Sequence, residues 1–161
     1  MLFRSKIGII GQSFPFTSTA NPKEFTQGWS FGLRLDTLQT YVDKLRKEEK
    51  VDCVVLLSHD GFSVDQEVAR QVKGIDFILS GHTHDPSPQP TVINGTVIII
   101  AGSHGKYVGR LDIDIKNHKV KGYETNSSPW LPILSLLIQK GLNLSILFML
   151  RMNKNLVKYS V

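Results

Sequence analysis

Two short histidine motifs contain the residues of this chain that are best suited to chemistry. The first is Ser58-His59-Asp60-Gly61 and the second is Gly81-His82-Thr83-His84-Asp85, and each follows a run of apolar residues. Neutral imidazole is the commonest protein ligand for metal ions, and hydrolytic two-metal sites hold their ions about 3.5–4 Å apart. His82 and His84 can each reach a different ion, and His59 can join one of them. These three histidines are therefore predicted to be metal ligands.

Other polar residues near the motifs are weaker candidates. Asp60 and Asp85 adjoin the histidines, so each is expected either to orient an imidazole or bind a water molecule, or to be an ordinary loop carboxylate. His104 lies in a glycine-containing segment and is predicted as a catalytic residue near the substrate, with a plain loop histidine as the alternative. His118 lies in a polar turn and is expected to be solvated. No Gly-x-Ser-x-Gly motif surrounds Ser58, which argues against serine-hydrolase chemistry.

The apolar runs before the two motifs predict the strands that position them. Residues 51–57 form a near-continuous run rich in valine and leucine, typical of a strand buried on both faces of a sheet. Residues 64–72 predict a short helix with Asp65 in its first turn, and residues 75–79 predict the next strand. Strand, helix and strand in this order imply a parallel βαβ unit, whose ligands gather beyond the carboxyl ends of the strands. Both motifs are therefore expected at one edge of one sheet.

The remaining patterns predict the rest of the domain. A buried strand is expected at residues 6–11, a long loop at 12–30, and a helix at 36–48 with Asp36 as its N-cap. Further strands are expected at residues 96–101, 107–115 and 120–123. The predicted fold class is α/β of the α+β sandwich type, with βαβ units followed by a β-rich C-terminal half.

Composition excludes several classes of protein. The 161 residues suit a single domain, and the formal net charge of +5 comes without a Lys/Arg block, so no nucleic-acid partner is expected. The single cysteine, Cys53, excludes an intrachain disulfide. Polar residues interrupt the apolar stretch 133–150 before it reaches the length of a membrane span, so no membrane partner is expected. The N-terminus contains no secretory signal, so the chain as it stands is expected to be cytoplasmic.

At these residues the sequence resembles the calcineurin-like metallophosphoesterases, whose later motifs are Ser-His-x-Gly and Gly-His-x-His. Within that superfamily it resembles the 5'-nucleotidase group, and most closely the SoxB thiosulfohydrolase branch. The resemblance covers about residues 6–125. The segments that carry it are Ile10-Gly11-Gln12-Ser13-Phe14-Pro15, Ala20-Asn21-Pro22, Trp29-Ser30-Phe31-Gly32, residues 56–65, residues 74–85, Ala101-Gly102-Ser103-His104-Gly105-Lys106 and Gly109-Arg110-Leu111-Asp112.

The resemblance implies a metallophosphoesterase fold and a specific chemistry. His59 and His82 would bind one ion and His84 the other, in a site holding two manganese ions, with zinc or another divalent metal as the alternative. The implied reaction is hydrolytic release of sulfate from a cysteine S-sulfonate on a carrier protein during sulfur oxidation in the periplasm. A 5'-nucleotidase-type phosphomonoesterase is the alternative reaction.

The sequence also departs from the family pattern. The family opens with Asp-x-His, Gly-Asp and Gly-Asn-His motifs, which supply the remaining metal ligands, and none of them is present here. Residues 1–126 are therefore expected to be the C-terminal portion of a catalytic domain, followed by a divergent tail at 127–161. We expect the chain to be inactive without the missing N-terminal half, which would then be its partner, or to be an inactive truncated remnant. Poor solubility and exposed apolar surface are expected as well.

Overall fold

The computed structural model describes residues 5–129 and 149–152, and the side-chain environment of residues 5–126. Eight strands and four helices lie in these ranges. In chain order they are β1 (Ile7–Gln12), α1 (Thr17–Ala20), α2 (Lys23–Thr26), α3 (Leu35–Lys47), β2 (Cys53–Ser58), α4 (Phe62–Gln71), β3 (Phe77–Ser80), β4 (Thr91–Ile93), β5 (Thr96–Ile100), β6 (Tyr107–Lys116), β7 (Lys119–Pro129) and β8 (Met149–Met152).

A five-stranded sheet organises the first part of the chain. Its strand order is β1-β2-β3-β5-β4, and every neighbouring pair is parallel except β4 with β5. Strands β2, β3 and β5 are buried almost throughout because the sheet is covered on both faces, which explains their unbroken apolar sequences. Helix α4 connects β2 to β3, so the predicted parallel βαβ unit is present.

Two apolar cores lie on the two faces of this sheet. The first packs the sheet against helices α3 and α4, with Val42, Leu56 and Val68 fully buried. The second packs the sheet against strands β6 and β7, with Phe77 and Leu111 almost fully buried. Helices, five-stranded sheet and the smaller sheet of order β7-β6-β8 therefore form three layers. The predicted α/β fold of sandwich type, with a β-rich C-terminal part, is confirmed.

The structure corrects several details of the sequence interpretation. Helix α3 begins at Leu35, Asp36 lies inside its first turn, and Arg34 occupies the N-cap position without a side-chain hydrogen bond, so the prediction of Asp36 as N-cap was wrong. Helix α4 begins at Phe62, two residues before the predicted start. The loop at 12–30 contains two single-turn helices, and strand β4 was not predicted.

The predicted tail is described only in part. The expected boundary at residue 126 falls inside β7, and β8 pairs in parallel with β6. The other residues from 130 onward, including most of the apolar stretch 133–150, lie outside the described residues, so the division into two units stays a prediction. In the described ranges, no helix has the length and apolar character needed to cross a membrane.

Candidate active site

The carboxyl ends of the parallel strands bring the two histidine motifs together. Gln12, Ser58 and Ser80 are the last residues of β1, β2 and β3, and they lie side by side in the sheet register. Backbone hydrogen bonds fix the residues that follow β2 and β3. The His59 N–H donates a 3.0 Å hydrogen bond to the Gln12 carbonyl, and the Gly81 N–H donates a 2.8 Å hydrogen bond to the Ser58 carbonyl. The predicted placement of both motifs at one sheet edge is therefore confirmed.

His59 and His82 form the first pair of imidazoles at this edge. Their ring centroids are 5.3 Å apart, with the ring planes at 75°. Phe14, from the loop after β1, stacks on the His82 ring at 4.3 Å and 20°. Both histidines are exposed to solvent. The pair is open to a ligand, and the phenyl ring of Phe14 restricts the orientation of one of its members.

His84 and His104 form a second pair. Their ring centroids are also 5.3 Å apart, with the planes at 80°. The Ser103 hydroxyl lies 2.7 Å from Nδ1 of His104, which leaves Nε2 of that ring without a partner in the described residues. Both rings are exposed. His104 follows β5 and therefore lies beside a predicted metal ligand, His84, that is twenty residues away along the chain.

These pairs match a transition-metal site in the type of donor but not in the number of donors. Catalytic zinc sites use three protein ligands for one ion, and no group of three or more histidine, cysteine, aspartate or glutamate residues in the described residues is arranged to hold a metal ion. Buried acceptors near this edge also lack donors within the described part of the chain, namely Oε1 of Gln12 and both carboxyl oxygens of Asp60. The described residues alone therefore do not make a complete metal site.

A buried acidic cluster lies behind the first histidine pair. Asp65 is fully buried, accepts a 2.5 Å hydrogen bond from the Ser58 hydroxyl through Oδ1, and accepts a second from the Ser80 hydroxyl through Oδ2. Burial raises the pKa of Asp65 against the opposing effect of the two serine donors. Burial, together with the charge of Asp65, raises the pKa of Asp60 to about 7. Asp65 lies in the first turn of α4, as the sequence predicted, and its side chain turns inward to Ser58 and Ser80.

The two aspartates predicted beside the ligands have different environments. Asp60 is only 2% exposed, and within the described residues its carboxyl oxygens bond to no histidine. Asp85 is exposed, and no hydrogen bond or ion pair involves it in the described part of the chain. Their roles near the metal ligands stay predictions.

His118 lies away from this edge, in an exposed turn as the sequence predicted. It occupies the turn between β6 and β7 and is largely exposed. It is nevertheless paired: Nδ1 lies 2.7 Å from Oδ1 of Asp52, a buried residue that precedes β2 at the opposite end of the sheet. His118 is therefore outside the candidate site.

Sequence reasoning missed three contributors to the site, namely Phe14, Asp65 and Ser80. One signal was available, because Ser58 and Ser80 are polar residues that end otherwise apolar strands, and a buried hydroxyl needs a partner. No local signal identified Phe14, whose contact with His82 spans 68 positions of sequence.

Comparisons with known proteins agree with this geometry. No protein-family model matches the chain. The trifunctional nucleotide phosphoesterase YfkN of Bacillus subtilis is 32% identical over 133 residues, covering 80% of this chain and 9% of YfkN. The snake venom 5'-nucleotidase of Crotalus adamanteus is 31% identical over 137 residues, covering 72% of this chain and 23% of that enzyme. Among solved structures, the sulfate thiohydrolase SoxB of Thermus thermophilus superposes with a TM-score of 0.75 at 37% identity.

The match to SoxB covers 79% of this chain and 23% of the SoxB chain. This chain thus spans a small part of each of these relatives. Its α/β sandwich, its Ser-His-x-Gly and Gly-His-x-His motifs at one sheet edge, and these similarities agree with one another. The chain therefore belongs to the metallophosphoesterases of the 5'-nucleotidase group and corresponds to part of their length.

Proposed function

We propose that this chain supplies the histidine-rich half of a dinuclear metal hydrolase site and works with further metal ligands from polypeptide outside the described residues. The observation that carries the proposal is the meeting of four exposed imidazoles, in two pairs, at the carboxyl edge of the sheet. Hydrolases place substrates at this edge of open α/β sheets. Relatives in the metallophosphoesterase group imply divalent metal ions, and manganese is our proposed metal.

The histidines of this chain would bind two metal ions. His59 and His82 would hold one ion and His84 the other, with carboxylate and amide ligands from a further segment completing both. Bound divalent ions would supply Lewis acidity and a water of lowered pKa. His104, whose Nε2 has no partner in the described residues, would donate a hydrogen bond to an oxygen of the anionic substrate. The exposed rings leave room for such a substrate.

We propose a cysteine S-sulfonate on a carrier protein as the substrate, with a phosphate monoester of a nucleotide as the second candidate. In the first reaction, a water oxygen bonds to the sulfonate sulfur, the sulfur–sulfur bond to the cysteine breaks, and sulfate and a thiol are released. The 37% identity to SoxB supports the sulfonate, whereas the 32% identity to YfkN supports the nucleotide. The carrier protein as partner and the periplasm as location are part of the sulfonate proposal.

A complementation experiment tests the function. The chain would be coexpressed with the segment of SoxB that carries the Asp-x-His, Gly-Asp and Gly-Asn-His motifs, and the complex would be supplied with Mn²⁺. Sulfate release from an S-sulfonated peptide and phosphate release from a nucleoside monophosphate would be measured side by side. We expect sulfate release that falls at least about a hundredfold on substitution of a metal ligand, as in His82→Ala. His118→Ala is the matched control and should retain activity.

The outcomes separate the alternatives. Phosphate release alone would replace the sulfonate with the nucleotide as substrate. Failure of a folded complex to bind Mn²⁺ would contradict the metal site itself and leave the inactive remnant as the remaining interpretation. For the chain by itself, we expect no turnover, because its described histidines provide only two donors in each pair.

A further inference from the structure

We propose that Asp65 is a positioning residue that fixes the separation of the His59 and His82 rings at the site. This inference rests on the proposed function. Asp65 is on α4, touches neither imidazole through a hydrogen bond, and acts through the two strand ends from which the histidines emerge. Nothing in the motif pattern assigns it this role.

The Asp65 carboxylate bridges the ends of two strands. Its two carboxyl oxygens accept hydrogen bonds from different strands, Oδ1 from the Ser58 hydroxyl at the end of β2 and Oδ2 from the Ser80 hydroxyl at the end of β3. All three side chains are buried. One carboxylate therefore links two neighbouring strands from the helix that connects them.

This bridge lies at the sheet edge from which the two histidines emerge. Ser58 and Ser80 are partners in the sheet register and form the last register pair between β2 and β3. His59 follows Ser58 directly, and His82 follows Ser80 by two residues. Beyond this pair, a backbone hydrogen bond from the Gly81 N–H to the Ser58 carbonyl joins the segments that leave the two strands. The carboxylate thus fixes the strands at the point where their separation sets the distance between the imidazoles.

The buried side chain at this position of α4 is a carboxylate rather than an apolar group. Burying an ionisable group is unfavourable, and an apolar residue at this position of α4 would pack against the first core without that cost. A carboxylate can accept two hydrogen bonds from opposite directions in a fixed geometry, which an apolar side chain cannot do. The residue type is therefore suited to holding two hydroxyls at a set spacing.

The test uses the full chain with labelled histidines. We would measure the nuclear Overhauser effect (NOE) between the ring protons of His59 and His82, and the affinity of the same protein for Zn²⁺ alone. Asp65→Ala removes both acceptors, whereas Asp65→Asn keeps a group that can accept from one serine and donate to the other. Thr96→Val is the matched control, because the buried Thr96 hydroxyl donates a 2.8 Å hydrogen bond to the Ile75 carbonyl at the opposite end of the sheet.

We expect Asp65→Ala to lose the NOE between the rings and to bind Zn²⁺ about tenfold or more weakly. Asp65→Asn should restore both, and Thr96→Val should lower the melting temperature while retaining both. An NOE of unchanged strength in folded Asp65→Ala would overturn the inference. If that variant does not fold, Ser80→Ala removes one arm of the bridge, and an unchanged NOE there would overturn it equally.

The NOE also separates this inference from the proposed function. A wild-type chain that shows the NOE, but whose folded complex with the complementing SoxB segment does not bind Mn²⁺, would contradict the metal site of the proposed function. The comparison of the NOE between wild type and Asp65→Ala would still decide whether Asp65 positions the rings.

Discussion

Two of the site histidines adopt backbone conformations that are rare for residues with a side chain. His82 has a φ of 68° and His104 a φ of 58°, both in the left-handed region. Such conformations cost on the order of 1–3 kcal/mol each and cluster at functional sites. One member of each imidazole pair therefore lies on strained backbone. His118, outside the site, has a φ of 59° in the turn between β6 and β7, so these values reflect the tight turns after β3 and β5 in which His82 and His104 lie.

Gly81 offers a direct test of the first pair. A Cβ at this position would lie 2.9 Å from Nδ1 of His59 and 3.1 Å from the Ser58 carbonyl oxygen, so the His59 ring must move to admit it. We expect Gly81→Ala to shift the His59 ring resonances and to weaken Zn²⁺ binding about tenfold, measured by titration. Gly11→Ala is the control, since nothing lies within 4 Å of a Cβ there. Equal Zn²⁺ affinity in both variants would contradict the assigned ring position.

The buried acids predict a pH dependence of stability. The pKa of Asp65 is raised by burial in the folded state, and that of Asp60 is raised to about 7. Between the ordinary aspartate pKa of about 4 and these raised values, the folded chain binds more protons than the unfolded chain, so the free energy of unfolding falls as pH rises. We expect Asp65→Asn to flatten this slope. Urea unfolding between about pH 4 and pH 8 measures it, and a wild-type stability that rises across this range would be the contrary result.

At the scale of elements, the site depends on how α4 is tied to the loop after β3. The backbone N–H of Phe62, at the start of the helix, donates a 2.9 Å hydrogen bond to the hydroxyl of Thr83, the residue between His82 and His84. Asp65 makes its bridge one turn further along the same helix. The crossover helix therefore contacts both histidine motifs and couples the packing of the first core to the geometry of the site.

The Thr83 hydroxyl should contribute to the stability of the fold. We expect Thr83→Val to cost about 1 kcal/mol of unfolding free energy, because the first N–H of α4 loses its acceptor. Thr83→Ser keeps the hydroxyl and should restore most of the loss. Denaturant unfolding of the two variants gives the difference, and a Thr83→Val variant as stable as Thr83→Ser would exclude this role.

At the scale of the whole molecule, one edge of the main sheet exposes apolar surface. In the described residues β1 pairs with β2 alone, and Ile9 and Leu57 are 55% and 44% exposed on the face that elsewhere packs against β6 and β7. An unpaired strand edge beside exposed apolar side chains favours association with another chain. This surface agrees with the expectation of exposed apolar residues, whereas solubility stays a prediction.

We expect the purified chain to associate with itself through this edge. Ile9→Lys places a charge on the exposed edge strand and should reduce the association seen by sedimentation velocity. Val92→Lys is the matched control, because Val92 is 56% exposed on β4 at the opposite edge of the sheet. A monomeric wild-type chain, or equal effects of the two substitutions, would contradict the prediction.

Much of this protein follows from local sequence patterns. Unbroken apolar runs marked β2 and β3 because strands covered on both faces need apolar residues at every position. Helical periodicity marked α3 within one residue of its observed bounds. The parallel βαβ order then placed both histidine motifs at one edge, because the carboxyl ends of parallel strands coincide. Element boundaries were less accurate, since helix starts such as that of α4 depend on tertiary partners like Thr83.

Tertiary structure alone decided which side chains support the histidines. The sequence by itself determined the fold class, the two motifs and their common edge, because these depend on periodicity and chain order. The stacking of Phe14 on His82, the pairing of His84 with His104 and the inward turn of Asp65 depend on packing between residues distant in sequence. Such contacts are set by the shape of the assembled sheet and helices, and no local pattern records them.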